Sequence, residues 1–218
     1  IYQTSSFSKT TDQRDFNHKY LSNYLSALIS QKSKDSVYYF NSSKILINEH
    51  TTFLEKYVKV LTVDGQIQKS INIIKQNRAK ENSQFFEAEL LILIDNFKKK
   101  KFNQNIKLLD EFQKYRDYGS FNYIIYEVLK SYNDLFLKKE LNSNNKDFGK
   151  LSLINEAFQY CYLDKIETNS KFINLINSKD GNYSRYIYFY LNNLIKKNDF
   201  KSAIQLSKDI NVLNSNLL

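Results

Sequence analysis

The chain has 218 residues and a formal net charge of +9, from 32 Lys or Arg against 23 Asp or Glu. Its one cysteine excludes an internal disulfide framework, its Cys and His spacing resembles no zinc site, and no apolar run approaches the ~18 residues of a membrane-spanning helix. Hydrophobic residues make up 42% of the chain, so the composition predicts one or two globular domains or one repeat array.

Lysine supplies nearly all of the positive charge, because the chain has only four Arg. Nucleic-acid-binding surfaces depend on Arg for bidentate contacts with bases and phosphates, so scattered lysine argues against a DNA or RNA partner. The abundance of Asn, Lys, Ile, Tyr and Phe, whose codons are rich in A and T, indicates an AT-rich genome.

The N-terminal stretch differs from the rest of the chain. Residues 1–16 are polar, rich in Ser and Thr and without periodicity, which predicts an extended leader or linker. From about Asn17 to the end, apolar residues recur at helical spacing, so residues 17–218 are predicted to form one all-α domain.

Five apolar stripes mark the clearest helices. Each stripe repeats at steps of three or four residues, which places its members on one face of a helix. The stripes are Ile67, Ile71 and Ile74; Phe102, Ile106, Leu109 and Phe112; Ile166, Ser170, Ile173 and Ile176; Ile187, Leu191 and Leu194; and Phe200, Ile204, Ser207 and Ile210.

One segment carries a competing signal. Asp64-Gly65 lies between β-branched residues, and such a pair is a strong β-hairpin signal in isolation. Phe53, Tyr57 and Leu61 before it follow helical spacing, which favours a helix on each side, with Gly65 as the residue that ends the first.

The turns between helices define a period. Steps of 35, 64 and 34 positions separate the apolar residues that follow the turns, which are Ile67, Phe102, Ile166 and Phe200. Because 64 is nearly twice 32, the spacing predicts a further turn near Leu135, within residues 132–134. Six units of about 34 residues after the leader account for the length of the chain, with the fourth unit the least regular.

This period resembles that of the tetratricopeptide repeat (TPR), a helix–turn–helix unit of about 34 residues. Ser36, Ser70 and Ala203 stand where the family has a small residue early in the second helix, whereas the family's unit-ending Pro is missing throughout. The resemblance implies a right-handed α-solenoid of about six TPR-like units, with a concave face lined by the first helices. The last unit is most similar to the family pattern, with Ile187, Tyr190, Leu191 and Leu194, then Phe200, Ala203, Ser207 and Ile210.

No constellation of residues points to catalysis. His18 and His50 lie near predicted helix starts without a Ser or Cys partner, and Cys161 lies within an apolar helix. Surface or capping positions for the histidines and a buried position for the thiol are the simpler interpretations. The sequence has no Gly-rich phosphate loop, so no catalytic, cofactor or metal site is predicted.

Lysine recurs at the turns inside the predicted units. Five of the six turns carry it, and Asp64-Gly65 is the exception. In a solenoid these turns align along one edge, which would form a basic surface for an acidic protein or an anionic lipid surface. The alternative is that lysine at helix C-termini complements the helix dipole. The largest cluster is the run Lys98, Lys99, Lys100 and Lys101.

A second candidate surface is the concave face. On the first helix of the fifth predicted unit, Phe158 and Tyr162 would make this surface apolar, as an amphipathic helix or an extended peptide requires. Packing of the same residues against neighbouring helices is an equally good interpretation. The first helix of the last predicted unit places on one face a set of side chains suited to a peptide carboxylate, namely Arg185, Tyr188, Asn192 and Lys196.

These features predict a non-enzymatic protein–protein interaction scaffold that presents a concave groove and a lysine-bearing edge to another protein or peptide, without a cofactor. Two alternatives are an accessory subunit or assembly factor of a larger complex, and a binder of an anionic surface, membrane or RNA, through the basic edge. The start of the chain without Met and the polar leader favour an exported, periplasmic or membrane-associated bacterial protein over a cytoplasmic one.

Overall fold

The structure, a computed structural model, describes residues 9–50, 52–79, 84–115, 117, 119–141, 146–178 and 186–209, with side chains from His18 to Lys208 within these ranges. Every regular element in these ranges is helical and none is a strand, which confirms the predicted all-α class. No described helix is both long enough and apolar enough to cross a membrane.

Eleven α-helices occur in the described residues, and two short 3-10 helices cover Lys44–Ile47 and Gln113–Tyr115. The α-helices are α1 (Lys9–Ile29), α2 (Ser33–Ser42), α3 (Phe53–Val63), α4 (Ile67–Asn77), α5 (Phe86–Lys98), α6 (Phe102–Phe112), α7 (Phe121–Lys138), α8 (Lys150–Tyr162), α9 (Thr168–Ile176), α10 (Ile187–Lys196) and α11 (Phe200–Asp209).

The chain divides into two compact units, Ile1–Lys100 and Lys101–Leu218. In the first unit, each helix from α1 to α5 packs on the next one along the chain. Phe40, Phe53 and Tyr57 are fully buried there, and the rings of Phe40 and Phe53 meet edge to face at 5.2 Å. Burial of these large aromatic side chains supplies much of the free energy that stabilises the unit.

The second unit follows the same rule of neighbour packing, from α6 to α11. Its C-terminal core is built from α8, α9, α10 and α11, each of which contributes an apolar face. No helix here needs a distant partner, because adjacent helices cover one another's apolar stripes. The buried residues of this core are Ala157, Phe172, Leu175, Ile187, Tyr190, Leu194, Ala203 and Leu206.

The first helix begins earlier than the sequence pattern predicts. Helix α1 starts at Lys9, so residues 9–16, which were expected to belong to an extended leader, are helical. Ser and Thr in a first helical turn are compatible with a helix start, although they lack the apolar periodicity that would predict one. Residues 1–8 lie outside the described residues, and the division into a leader and one repeat domain stays a prediction.

The segment around Asp64-Gly65 is a turn between two helices, and the alternative of a β-hairpin is wrong. Gly65 has φ +78°, and its N–H donates to the carbonyl of Thr62 at 3.1 Å. The N–H of Gln66 donates to the carbonyl of Leu61 at 2.8 Å. This pair of bonds is the Schellman arrangement, in which a left-handed residue ends an α-helix.

Three further turns repeat the left-handed residue and the first of these two bonds. Lys100, Asp164 and Asn198 have φ of 57–60°, and each donates its N–H to the carbonyl three residues earlier at 3.0–3.2 Å. Together with Gly65 they are separated by 35, 64 and 34 positions, which are the steps that the sequence predicts. The four turns therefore share a left-handed residue and its hydrogen bond, at the predicted steps, although only one of them uses glycine.

The predicted turn within residues 132–134 is wrong. Helix α7 runs without interruption from Phe121 to Lys138, and Lys139 is the residue with positive φ. Asn133 and Leu135 are buried, so this part of α7 packs as a continuous helical face. No second helix follows α7 in residues 139–141 or 146–149, and residues 142–145 lie outside the described residues. The predicted fourth pair is thus a single helix in this part of the chain.

On α9 and α11 the buried face is offset from the predicted stripe, whereas Ile71 and Ile74 on α4 are buried as predicted. Ile166 precedes α9 and is almost fully exposed, and Phe200 and Ile204 on α11 are exposed as well. The fourth residue of α2, α4, α6 and α11 is buried instead, whereas α9 buries Thr168, Phe172 and Leu175. Ser36 Oγ, for example, donates across to the carbonyl of Ala27 on α1 at 2.8 Å. The buried fourth residues are Ser36, Ser70, Asn105 and Ala203.

Candidate functional site

Stacked aromatic pairs join consecutive helices at three junctions. Phe40 on α2 stacks on Tyr57 on α3, with ring centroids 5.4 Å apart and planes at 17°. Phe112 and Tyr126 stack across α6 and α7, at 6.3 Å and 13°. Phe172 and Tyr190 stack across α9 and α10, at 4.7 Å and 5°. Each pair places a Phe from one helix on a Tyr from the next helix, which fixes how the two helices meet.

The tyrosine hydroxyls at two of these junctions have the same kind of partner. The Tyr57 hydroxyl donates to Asn41 Oδ1 at 2.6 Å, and the Tyr190 hydroxyl donates to Asn169 Oδ1 at 3.0 Å. In both cases the asparagine lies on the helix that also carries the stacked Phe. Burial raises the pKa of Tyr57 and of Tyr190 to about 12, so both hydroxyls stay protonated and keep donating.

Helix α10 presents the predicted polar face to the surface. Tyr188, Asn192 and Lys196 are all exposed and lie four residues apart, on the side opposite the buried Ile187 and Leu194. Phe189 is also exposed on this side of the helix. Arg185, the fourth member of the predicted set, lies outside the described residues.

Phe158 belongs mainly to internal packing. Its ring is half-buried and meets the rings of Phe172, Tyr186 and Phe189 edge to face, at 5.4–5.8 Å. The contact with Phe189 joins α8 to the exposed side of α10. Phe158 therefore packs between α8 and α10 rather than forming an open binding surface.

Tyr162, one helical turn further along α8, is more accessible. Its ring packs edge-on against Phe136 of α7 at 4.8 Å between centroids. Lys139 Nζ lies 4.7 Å from the centroid of the Tyr162 ring and donates to its hydroxyl. Phe158 therefore contacts α10 through Phe189, whereas Tyr162 lies against α7, with a lysine beside its exposed ring.

The lysine run at the end of α5 divides into two roles. Lys99 Nζ is 2.7 Å from Asp95 Oδ1, and Lys75 Nζ is 3.4 Å from Asp95 Oδ2. The hydrogen bond from Lys99, with the charges of Lys99 and Lys75, holds the pKa of Asp95 below its usual value. Lys98, Lys100 and Lys101 are exposed, so their ammonium groups face water.

Turns that follow different helices adjoin one another inside each unit. In the first unit, Ser33 Oγ donates to Asp64 Oδ1 at 2.7 Å and connects the α1–α2 turn to the α3–α4 turn. In the second unit, Lys139 contacts Tyr162, and Lys197 pairs with Asp164. The recruitment of a partner by such an edge stays a prediction.

The two histidines and the cysteine lie in packing or surface positions. His50 packs against the Tyr24 ring at 5.0 Å, its Nδ1 lies 3.3 Å from Thr52 Oγ1, and His18 is exposed. Cys161 is half-buried, and burial raises the pKa of its thiol, which lowers the fraction of reactive thiolate. The described residues contain no group of three or more His, Cys, Asp or Glu that could hold a metal ion.

Sequence reasoning missed the exposed apolar residues at the turns of the second unit. Ile166 and Phe200 each lie two positions after a residue with positive φ, and both point outward. Their spacing from the turn was visible in the sequence, but it was interpreted as the start of a buried stripe. Asn105 is buried, and neither its Oδ1 nor its Nδ2 has a hydrogen-bond partner among the described residues.

In comparisons with known proteins, no protein-family model, no curated protein and no solved structure matches the chain.

Proposed function

We propose that the chain is a TPR-like helical-repeat scaffold without enzymatic activity, which binds a partner protein on the face formed by its first helices. The observation that carries this proposal is the recurrence of one turn geometry at Gly65, Lys100, Asp164 and Asn198, at steps of 35, 64 and 34 residues. Recurrent turns of this spacing are typical of stacked helical pairs whose first helices line a common surface.

The contacts between helices support a repeated unit. A Phe–Tyr stack recurs at three junctions between consecutive helices, and two of the three stacks are accompanied by the same Tyr–Asn hydrogen bond. In the first unit the proposed array comprises the helical pairs α1–α2 and α3–α4, followed by α5. In the second unit it comprises α6 and α7, followed by the pairs α8–α9 and α10–α11. The right-handed sense of the array is an expectation from the resemblance to the TPR family.

The partner-binding face is proposed to include Tyr162 on α8 and Tyr188, Asn192 and Lys196 on α10. Two tyrosine rings offer apolar contact area, the asparagine offers donors and an acceptor, and the lysine offers a positive charge. This mixture suits a peptide segment that carries both an acidic and an apolar side chain.

Site-specific photo-cross-linking tests the proposal. A photoreactive amino acid placed at Asn192 lies on a first helix, and one placed at Asn174 of α9 lies on a second helix; both positions are exposed asparagines. In cells of the source organism we expect a dominant cross-linked protein from position 192 and none from position 174.

The interaction is expected to depend on side chains of the same face. Replacement of Tyr188 and Lys196 by Ala should weaken capture of the cross-linked protein by about tenfold or more, because exposed aromatic and charged anchors carry most of the energy of such interfaces. Equal cross-linking from positions 192 and 174, or none from 192, would contradict the proposal.

A further inference from the structure

Three turns of the second unit form one continuous edge. They comprise residues 138–141 after α7, 162–167 after α8 and 195–201 around the end of α10, and we refer to them as the second-unit turn edge. The contact of Lys139 with Tyr162 connects the first two turns, and the ion pair of Lys197 with Asp164 connects the last two. The side chains of these turns therefore act as one surface.

Large apolar side chains project from this edge. Ile166 is 97% exposed, Phe200 is 54% exposed and Ile195 is 51% exposed. Ile166 and Phe200 occupy the same position in adjacent turns, two residues after Asp164 and Asn198 respectively. An isoleucine that is almost wholly in water on a tight turn contributes nothing to the core of the fold, and a cluster of such residues marks an interaction surface.

Lysine surrounds these apolar side chains. The edge carries six Lys and four acidic residues, and two of the acids already have structural partners. Asp164 is paired with Lys197, and Asp199 Oδ1 accepts the N–H of Ser202 at the start of α11. Four of the six lysines form no ion pair with another described residue, and these are Lys138, Lys165, Lys196 and Lys201.

We propose that the second-unit turn edge docks on an anionic lipid bilayer. Ile166 and Phe200 enter the boundary between headgroups and acyl chains, while the surrounding lysines contact anionic headgroups. Peripheral membrane binding has these two components, burial of a few apolar side chains and attraction of Lys to anionic lipid. The edge shares Tyr162 and Lys196 with the proposed partner-binding face, whereas Ile166, Phe200 and Lys165 lie outside that face. The test below therefore uses residues that the scaffold function does not need.

The shape of the edge favours a bilayer over a peptide or a nucleic acid. The apolar residues lie in a turn or at a helix end and have lysines beside them in the chain, and a planar lipid interface accepts several separate side chains. A peptide needs a groove that encloses its side chains, as in the known modes of peptide recognition. A nucleic acid would use the lysines but would leave Ile166 in water.

Vesicle flotation with the full chain tests the docking. Binding is measured on phosphatidylcholine vesicles with and without phosphatidylglycerol, and we expect binding only when the anionic lipid is present. Ile166→Ser should weaken binding by about tenfold, since one buried isoleucine side chain contributes that much. Lys165→Gln should weaken it by about fivefold. Both side chains are exposed, so the fold is expected to persist, which circular dichroism checks.

Two matched controls lie at the far ends of helices that reach the edge. Phe121 is 74% exposed at the start of α7, about 25 Å from Lys138 along the helix. Lys150 begins α8, whose other end is Tyr162. Phe121→Ser and Lys150→Gln should leave binding unchanged, and Ile166→Ser should leave cross-linking from position 192 unchanged.

Three results would overturn the inference. The first is no binding of the unaltered chain to the anionic vesicles. The second is binding that Ile166→Ser leaves unchanged, because this would mean electrostatic adsorption without insertion. The third is tighter binding to single-stranded RNA than to vesicles, independent of Ile166, because the edge would then be a polyanion surface.

Discussion

The α3–α4 pair of the first unit and α7 of the second unit show what separates a turn from a continuous helix. Each segment carries a polar dipeptide after an apolar stretch, Asp64-Gly65 in one and Asn133-Asp134 in the other. Gly65 takes a positive φ and the chain folds back, whereas α7 continues to Lys138. A polar dipeptide alone thus does not fold the chain back at this point, whereas the left-handed Gly65 does.

The turns also differ in the steric cost of their positive φ. Gly65 adopts its positive φ without a steric penalty, whereas Lys100, Asp164 and Asn198 make the same turn with a side chain. A chain with only four glycines therefore keeps its period at the expense of backbone strain in most of its turns. The predictions below test how far the two units share this construction.

The largest effect is expected at the stacked junctions. Phe40→Ala in the first unit and Phe172→Ala in the second should each lower the free energy of unfolding by about 3–5 kcal/mol, because both rings are fully buried. Urea titrations followed by circular dichroism measure this loss. Phe121→Ala on the exposed start of α7 should change it by less than about 0.5 kcal/mol. A large loss in one unit with little loss in the other would break the equivalence of the junctions.

The turns should respond in opposite directions to matched substitutions. Gly65→Ala is expected to destabilise the first unit by about 1–2 kcal/mol, through the left-handed backbone alone, since nothing lies within 4 Å of an added Cβ. Asn198→Gly should stabilise the second unit by up to about 1 kcal/mol, because glycine removes the same strain. Thermal unfolding measures both changes: the midpoint should fall for Gly65→Ala and rise for Asn198→Gly, and two unchanged midpoints would mean that φ at these turns does not affect stability.

The fourth residue of the second helices gives a smaller contrast. Asn105→Ala in α6 should raise the free energy of unfolding by about 1 kcal/mol, because both polar atoms of Asn105 are buried without a partner. Ser70→Ala at the matching position of α4 should be slightly destabilising, since Ser70 Oγ lies 3.4 Å from the carbonyl of Val58. A loss of stability in Asn105→Ala would indicate that this side chain has a partner after all.

The smallest effect depends on pH. The pKa of Asp95 is lowered in the fold, so its ion pairs stabilise the first unit above a pH of about 4 and this contribution is lost as the pH falls further. Asp95→Asn should therefore reduce stability at neutral pH by no more than about 1 kcal/mol. The difference between the two proteins should shrink toward zero in acid, and a difference that grows in acid would reverse the assigned sign.

Helix positions were largely predictable from the sequence, because apolar spacing determines which faces must be buried. The same signal predicted the turn period through Ile67, Phe102, Ile166 and Phe200. It gave the wrong phase for α9 and α11, since the residue after a left-handed turn is apolar in each case but exposed. Spacing alone does not distinguish a buried stripe from an exposed one that is offset by one residue.

The candidate site was predictable only in part. The spacing of Tyr188, Asn192 and Lys196 placed them on one exposed face of α10, as the structure has them. Phe158 was selected by the same reasoning, yet its ring packs on Phe172 and Phe189, because contacts between helices do not follow from the period of one helix. For α7 the sequence marked the fourth unit as the least regular, but its spacing still predicted a turn within residues 132–134.

Backbone chemical shifts of the full chain, measured by NMR, test the central claim that one turn geometry recurs and is interrupted at α7. The account predicts left-handed shifts at Gly65, Lys100, Asp164 and Asn198, and continuous helical shifts through Asn133. Non-helical shifts at residues 132–134, or the absence of left-handed shifts at any two of the four turn residues, would contradict it.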